Sequence, residues 1–349
     1  LQIGASASVI SIKDKIGGIN MSILIAVDHG NYACKTPNFS FTSGLMELSG
    51  KATIHETDIV EYAGRIWTLS NERIRYMRDK TQDDRFFILT LFAIAKELEH
   101  MGIDSPLEQI DLAVGLPPEH YSTLKEKFKT YFMRGKVNFV YNDRPISLII
   151  RHVFVFPQAF AAVASRAQDM LDMPRAFIVD IGGYTTDVLL MREGVPDLQY
   201  CRSLEDGVIT MYNPIIGQVN AKHDMLIDDG HINAVLQNKR TSLPDDVQNS
   251  IREAVKLHSN EIINQLRELR IDLRANPAVF IGGGALLFRK HLEESQLVIQ
   301  AEFEEDPKAN AIGYKLLGAR QLKKLTDQGQ LHRVQSPFAG TGGMIGENI

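Results

Sequence analysis

The apolar positions of this chain fall into short buried runs that alternate with longer helical stripes. Ile23-Leu24-Ile25-Ala26-Val27 is apolar and β-branched and too short for a helix, so it predicts a buried strand ending at Asp28-His29-Gly30-Asn31. Tyr32 to Lys35 returns from that turn as a second strand. Phe87, Leu91, Ile94, Ala95 and Leu98 recur at helical spacing, with Gly102 as the stop. Residues 110–114 form another buried-strand run, closed by Gly115-Leu116-Pro117-Pro118. Residues 146–156 are β-rich and lead into Pro157, which is expected to open an alanine-rich helix from Ala159 to Ala167, because a first helical turn does not need the missing N–H.

The second half restarts the pattern. Residues 176–179 predict a strand ending at Asp180, followed by Gly182-Gly183 and a returning strand over 185–190. Ser242 and Pro244 precede a long helical series of Val247, Ile251, Val255, His258, Ile262, Leu266 and Leu269. Residues 278–281 predict a strand that meets Gly282-Gly283-Gly284 and then an amphipathic helix, and residues 310–325 a last helix. Strands alternating with helices predict an α/β architecture with partly parallel sheets. The segment Ile25 to Tyr32 also resembles Ile178 to Tyr184: each is a strand, an Asp-x-Gly turn and a second strand, with a tyrosine four residues after the aspartate. A repeated unit of this kind suggests two related halves facing each other.

Composition narrows the class without naming it. The 349 residues are enough for about two domains. Lys+Arg 38 against Asp+Glu 43 gives a formal charge of −5, which points away from a nucleic-acid binder, and no window approaches the run of about 18 apolar residues that a membrane span needs. Cys34 and Cys201 have neither zinc-ligand nor CxxC spacing; a single disulfide is chemically open, and free thiols in a reducing cytoplasm are the reading adopted. Residues 1–20, with Lys13, Lys15 and Gly17-Gly18, lack the pattern of a signal peptide and read as an extension before Met21. The tail 326–349, with Gly340, Gly342 and Gly343, reads as flexible.

The two Asp-x-Gly turns carry the candidate chemistry. Glycine lets backbone N–H groups approach an anion closely, so two such turns on opposing domains could clamp a triphosphate. Asp28 and Asp180 would repel a bare polyanion, which argues for Mg²⁺ between them, held directly or through its waters. Lys35 can neutralise phosphate charge. Taken singly, each turn is an ordinary one. Ile281-Gly282-Gly283-Gly284-Ala285 lacks the third glycine of GxGxxG, so a dinucleotide fold is poorly supported, although a flat ligand could lie on bare backbone there; a simple helix-start turn is the alternative.

Together these segments resemble the actin/Hsp70/sugar-kinase ATPase superfamily and, within it, the bacterial actin-like proteins of the ParM plasmid-segregation type. The resemblance rests on Val27-Asp28-His29-Gly30-Asn31 through Lys35, on Ile178-Val179-Asp180-Ile181-Gly182-Gly183-Tyr184-Thr185-Thr186-Asp187, and on Val279-Phe280-Ile281-Gly282-Gly283-Gly284-Ala285. The connecting segment Val153 to Ala159, the stretch Ile110 to Pro117 and Ala311-Ile312-Gly313-Tyr314 join them in family order across about 21–325. The resemblance implies an actin-like fold of two related domains, each a mixed sheet flanked by helices, with a nucleotide cleft between them. Domain I would span 21–175, with the helix at 310–325 packing back onto it, and domain II 176–309.

Site roles follow from the same resemblance. Asp28 and Asp180 would organise Mg²⁺; Gly30, Asn31, Lys35, Gly182, Gly183, Tyr184 and Thr185 would hold the phosphates of ATP or ADP; Gly282, Gly283, Gly284 and Ala285 would hold the adenosine. Gln158 would position the attacking water, with Asp180 as the other catalytic residue. ParM-like proteins often have Glu at the Gln158 position; a glutamine orients water but is a poor base, so hydrolysis should be slow. A plain helix residue is the alternative for Gln158. Asn31 stands where many members have Ser or Thr, and His29 is read as a turn residue, not a metal ligand. Adenine-facing residues are left open on the 245–270 helix.

The chain ends too soon for the peptide-binding domain of an Hsp70-type chaperone, and residues 1–20 fit poorly with the membrane anchor of an MreB-like filament. The expectation is therefore an ATP-dependent, filament-forming cytoplasmic protein, destabilised by hydrolysis and serving plasmid partition. Its partners would be other copies of itself and a separate DNA-binding adaptor, with no direct contact to nucleic acid or membrane. A small-molecule kinase or another non-filamentous ATPase of the superfamily is the alternative.

Overall fold

The computed structural model describes residues 22–50, 58–104, 108–166, 170 and 172–328. The expected extension over 1–20, most of the tail, and Ala167 lie outside these. The first half is built on a nine-stranded sheet. Its strands are β1 (Ile23–His29), β2 (Ala33–Lys35), β3 (Ser40–Thr42), β4 (Leu45–Leu48), β5 (Ile59–Tyr62), β6 (Arg65–Leu69), β7 (Glu108–Leu116), β8 (Lys136–Tyr141) and β9 (Arg144–Pro157). They lie in the order β3-β2-β1-β7-β9-β8-β5-β6-β4. The central β1, β7 and β9 run parallel, while β1–β2 is an antiparallel hairpin.

The second half repeats this plan at smaller scale. Strands β10 (Ala176–Ile181), β11 (Thr186–Arg192), β12 (Val195–Leu204), β13 (Ala278–Ile281) and β14 (Ala301–Phe303) lie in the order β12-β11-β10-β13-β14. Here β10–β11 is the antiparallel hairpin and β13 the parallel neighbour. The repeat read from the two Asp-x-Gly segments is therefore a repeat of topology. All six residues of β10 are buried, as expected of a strand covered on both faces.

Helices fill the layers. Helix α1 (Arg85–His100) buries nearly its whole circumference, including Phe86, Phe87, Leu91, Phe92 and Ile94, so it lies inside the first core instead of on its surface. It ends where predicted: Gly102 sits at φ +65° and Ile103 N–H donates to Leu98 O at 3.0 Å, a glycine-terminated cap. Helix α2 (Pro118–Phe132) begins at the Pro-Pro pair. The expected helix after Pro157 is the one displaced element. Pro157 is the last residue of β9, paired with Leu116, and Gln158 N–H extends the ladder by donating to Leu116 O at 2.8 Å. Ala159 then turns at φ +62°, and among the described residues the helix that follows, α3, spans just Phe160–Val163. A strand partner that runs as far as the proline, with Leu116 paired to Pro157, overrode the local helix-start signal.

Beyond β12 come α4 (Val208–His223), α5 (Asp229–Leu236), α6 (Asp245–Glu268), α7 (Gly282–Glu293) and α8 (Ala309–Asp327). Helix α8 packs on β1, β7 and α3. Its approach is close: a Cβ at Gly313 would lie 1.8 Å from Ala161 O, and one at Gly115 would lie 1.9 Å from the hydroxyl of Tyr314. The last helix is thus locked to the segment that links the two sheets. Cys34 and Cys201 are both free and buried, and no helix among the described residues is long and apolar enough to cross a membrane.

Candidate nucleotide site

The first hairpin places Asp28 at the end of β1, almost fully buried, in register with Lys35 on β2. Gly30 makes the turn possible, since a Cβ there would come within 2.6 Å of Ala33 O. Gln158, held by its own backbone at the end of β9, donates from Nε2 to Asp28 Oδ1 at 3.0 Å. His29 is not the turn residue expected. It completes β1 and, by the alternation of a strand, points to the opposite side from Asp28, into the core. Its ring stacks on Phe132 at 5.2 Å. The Thr90 hydroxyl gives its proton to Phe86 O, so His29 Nε2 donates to Thr90 Oγ1 at 2.7 Å. Burial, with Lys80 nearby, holds the His29 pKa down to about 3.

The second hairpin is arranged differently. Asp180 on β10 faces Asp187 on β11 directly across the ladder, so a carboxylate stands where the first hairpin has Lys35. Both are buried. Thr185 Oγ1 donates to Asp187 Oδ2 at 3.1 Å, while Asp187 Oδ1 has no hydrogen-bond partner among the described residues. Asn310, at the start of α8, donates from Nδ2 to Asp180 Oδ2 at 2.9 Å and accepts the Ala159 N–H on Oδ1 at 3.1 Å. Burial, then the charge of Asp187, pushes Asp180 up to about 7, with the Asn310 bond opposing. Burial likewise raises Asp187.

The two hairpins border one cavity of about 480 Å³, within the range of small-ligand sites. Gly30, Asn31, Lys35, Gly182, Gly183 and Thr185 line its hairpin end, beside Asp28, Asp180 and Gln158. Gly282, Gly283 and Gly284 line it as well, as the first turn of α7. Gly282 sits at φ +89°, and a Cβ there would meet Asp180 Oδ1 at 2.5 Å, so both its conformation and the space require glycine.

Two expected residues do not reach the cavity. Ala285 is fully buried behind it. Tyr184 instead packs its ring on Tyr76 at 5.1 Å. The far end is lined by Tyr212, Asn233, Leu236 and Gln237 of the α4–α5 region and by Leu286 and Leu287 of α7, with no residue of α6. The sequence reading also missed Lys80, Asp187 and Asn310, which all line the cavity. For Asp187 a signal existed: it follows Asp180 at the spacing that separates Lys35 from Asp28.

Three buried carboxylates that line one cavity, one of them carrying an orphaned oxygen, fit a site that receives a cation. Among the described residues no group of three carboxylate, histidine or cysteine side chains is close enough to hold a metal directly. The donor set suits an ion that keeps much of its water shell, which is the habit of Mg²⁺.

Fold and site together define an actin-like protein. Residues 26–160 match the family model of the N-terminal domain of actin-like proteins, and residues 178–294 match that of the C-terminal domain of archaeal MreB-like actin homologues. The chain belongs to the actin-like superfamily. No curated protein matches the sequence. Among solved structures, the archaeal actin homologue Ta0583 superposes with a TM-score of 0.69 at 16% identity, covering 85% of this chain and 99% of that one; a complex of Ta0583 with ADP is among the matches. ParM in a 15-stranded filament from Clostridium botulinum gives 0.65 at 18% identity, covering 86% and 99%. AlfA in a filament bound to AMPPNP gives 0.57 at 16%, covering 87% and 99%.

Proposed function

We propose that this protein binds and hydrolyses ATP with Mg²⁺ between its two hairpins and assembles into filaments in its ATP state. The observation that carries the nucleotide reading is the convergence of the Asp28–Lys35 and Asp180–Asp187 hairpins on one cavity, which the Gln158 amide, bonded to Asp28, also lines. In this reading the turn N–H groups of Gly30-Asn31 and Gly182-Gly183 cradle the phosphates, and Lys35 neutralises part of their charge. Asp28, Asp180 and Asp187 hold the hydrated cation, which when bound offsets phosphate charge. Gln158 can orient a water by its carbonyl while its NH₂ stays on Asp28; lacking a base's proton affinity, it supports slow turnover by positioning. The far end, between Tyr212, Leu236 and Leu287, takes the purine.

The filament reading is supported by the assemblies formed by ParM and AlfA, which share the fold. A nucleotide touching both hairpins favours the closed form, and hydrolysis weakens that bridge, so assembly and disassembly follow the nucleotide state. We further infer a cytoplasmic role in plasmid partition, with DNA held by a separate adaptor. Asp180→Ala tests the site: ATPase turnover should fall by on the order of a hundredfold, as when other preorganised electrostatic contacts are removed. Wild-type turnover by this variant at limiting Mg²⁺ would place the chemistry elsewhere.

A further inference from the structure

Lys80 was not marked by any motif, and its surroundings are unusual. Only 9% of it is exposed. Its ammonium donates to the His29 carbonyl oxygen and lies 5.4 Å from the Phe86 ring centroid. Among the described residues it forms no ion pair. An ammonium has three N–H donors, so two remain available on a group that lines the cavity. The carbonyl it binds belongs to the residue that follows Asp28, at the turn of the first hairpin. That places it at the phosphate end and away from Tyr212 and Leu287.

The segment that carries Lys80, between β6 and α1, also crosses the cleft. Arg73 Nη1 reaches Asp229 Oδ2 at the start of α5 at 3.2 Å, and Tyr76 packs on Tyr184 of the second hairpin. A buried cation with spare donors, on a segment that grips the opposite half, is suited to a ligand that arrives with negative charge. Lys35 alone faces that charge from the first hairpin.

We propose that Lys80 binds the terminal phosphate of the nucleotide and is the residue by which the site prefers a triphosphate to a diphosphate. The inference rests on the nucleotide reading above. With a triphosphate bound, the two free N–H groups turn to its terminal oxygens; with a diphosphate they face water or the cavity alone.

The test is titration calorimetry on the full chain with Mg²⁺, using ADP and a non-hydrolysable ATP analogue as probes. Lys80→Met, which keeps the stem and removes the charge, should weaken the analogue by about 10- to 100-fold, the range for one charge-assisted hydrogen-bond partner, and ADP by less than about threefold. Lys80→Arg should recover part of the preference. Equal weakening of both nucleotides, or of neither, overturns the proposal. So does a lowered melting temperature without nucleotide combined with an unchanged affinity ratio, which would make Lys80 only a counter-ion for Asp28 and Asp187. If the unaltered protein binds neither probe, the nucleotide reading itself falls and the Lys80 assignment with it.

Discussion

The Asn310 amide donates to the Asp180 carboxylate at 2.9 Å, and this contact ties the last helix to the second hairpin. The same side chain accepts from Ala159 N–H, just beyond Gln158. One buried amide therefore joins three parts of the chain that meet at the cavity. Asn310→Ala should leave both the Ala159 N–H and an Asp180 oxygen without partners, costing about 1–3 kcal/mol for each buried group left unsatisfied. Asn310→Asp should be worse, because it adds a carboxylate beside Asp180 and Asp187. Chemical denaturation without nucleotide checks both; variants as stable as the unaltered protein would show that Asp180 does not depend on this amide.

Gln158→Ala separates binding from turnover. The side chain contacts Asp28 and, in the proposed mechanism, the attacking water, so its loss should lower kcat by about tenfold to a hundredfold with ATP affinity little changed. Filaments formed in ATP should persist longer than those of the unaltered protein. A parallel loss of affinity and turnover would instead mark Gln158 as a structural support for Asp28.

His29 predicts a pH dependence of stability. Its folded-state pKa is held down to about 3, whereas in the unfolded chain it titrates near the ordinary value of about 6.5. Between these values the unfolded state binds more protons, so stability is complete above the upper pKa and declines as pH falls through the window, by up to about 1.4 kcal/mol per pH unit from this group. His29→Phe removes the titration, and its stability should fall less between about pH 6 and pH 4 than that of the unaltered protein. Identical slopes would show that His29 is not the group responsible.

Local patterns made much of this architecture legible. Both hairpins, α1 with its glycine stop, the long α6 and the glycine-led α7 follow from short-range periodicity and turn chemistry, and the repeated Asp-x-Gly unit announced two related halves. What was missed depends on contacts between distant segments. His29 is buried because Phe86, Phe128 and Phe132, from α1 and α2, enclose it, which no local window reveals. Pro157 ends a strand because β7 continues alongside. Lys80 lies in an aperiodic stretch, and Asn310 opens a predicted helix with no local sign of a role at the site; each gains its place only when β1 and β10 are brought face to face.

The central claim, that this actin-like chain is a nucleotide-driven filament former, is tested most directly by light scattering and ATPase rate measured together over a wide protein concentration range with ATP and Mg²⁺. A nucleus with few contacts is unfavourable while each later subunit gains a full set, so the account predicts a threshold above which scattering appears. The ATPase rate per molecule should rise at that same concentration and then level off. Constant specific activity with no threshold, together with stimulation by an added hydroxyl or carboxylate acceptor, would contradict it and identify a small-molecule kinase built on the same fold.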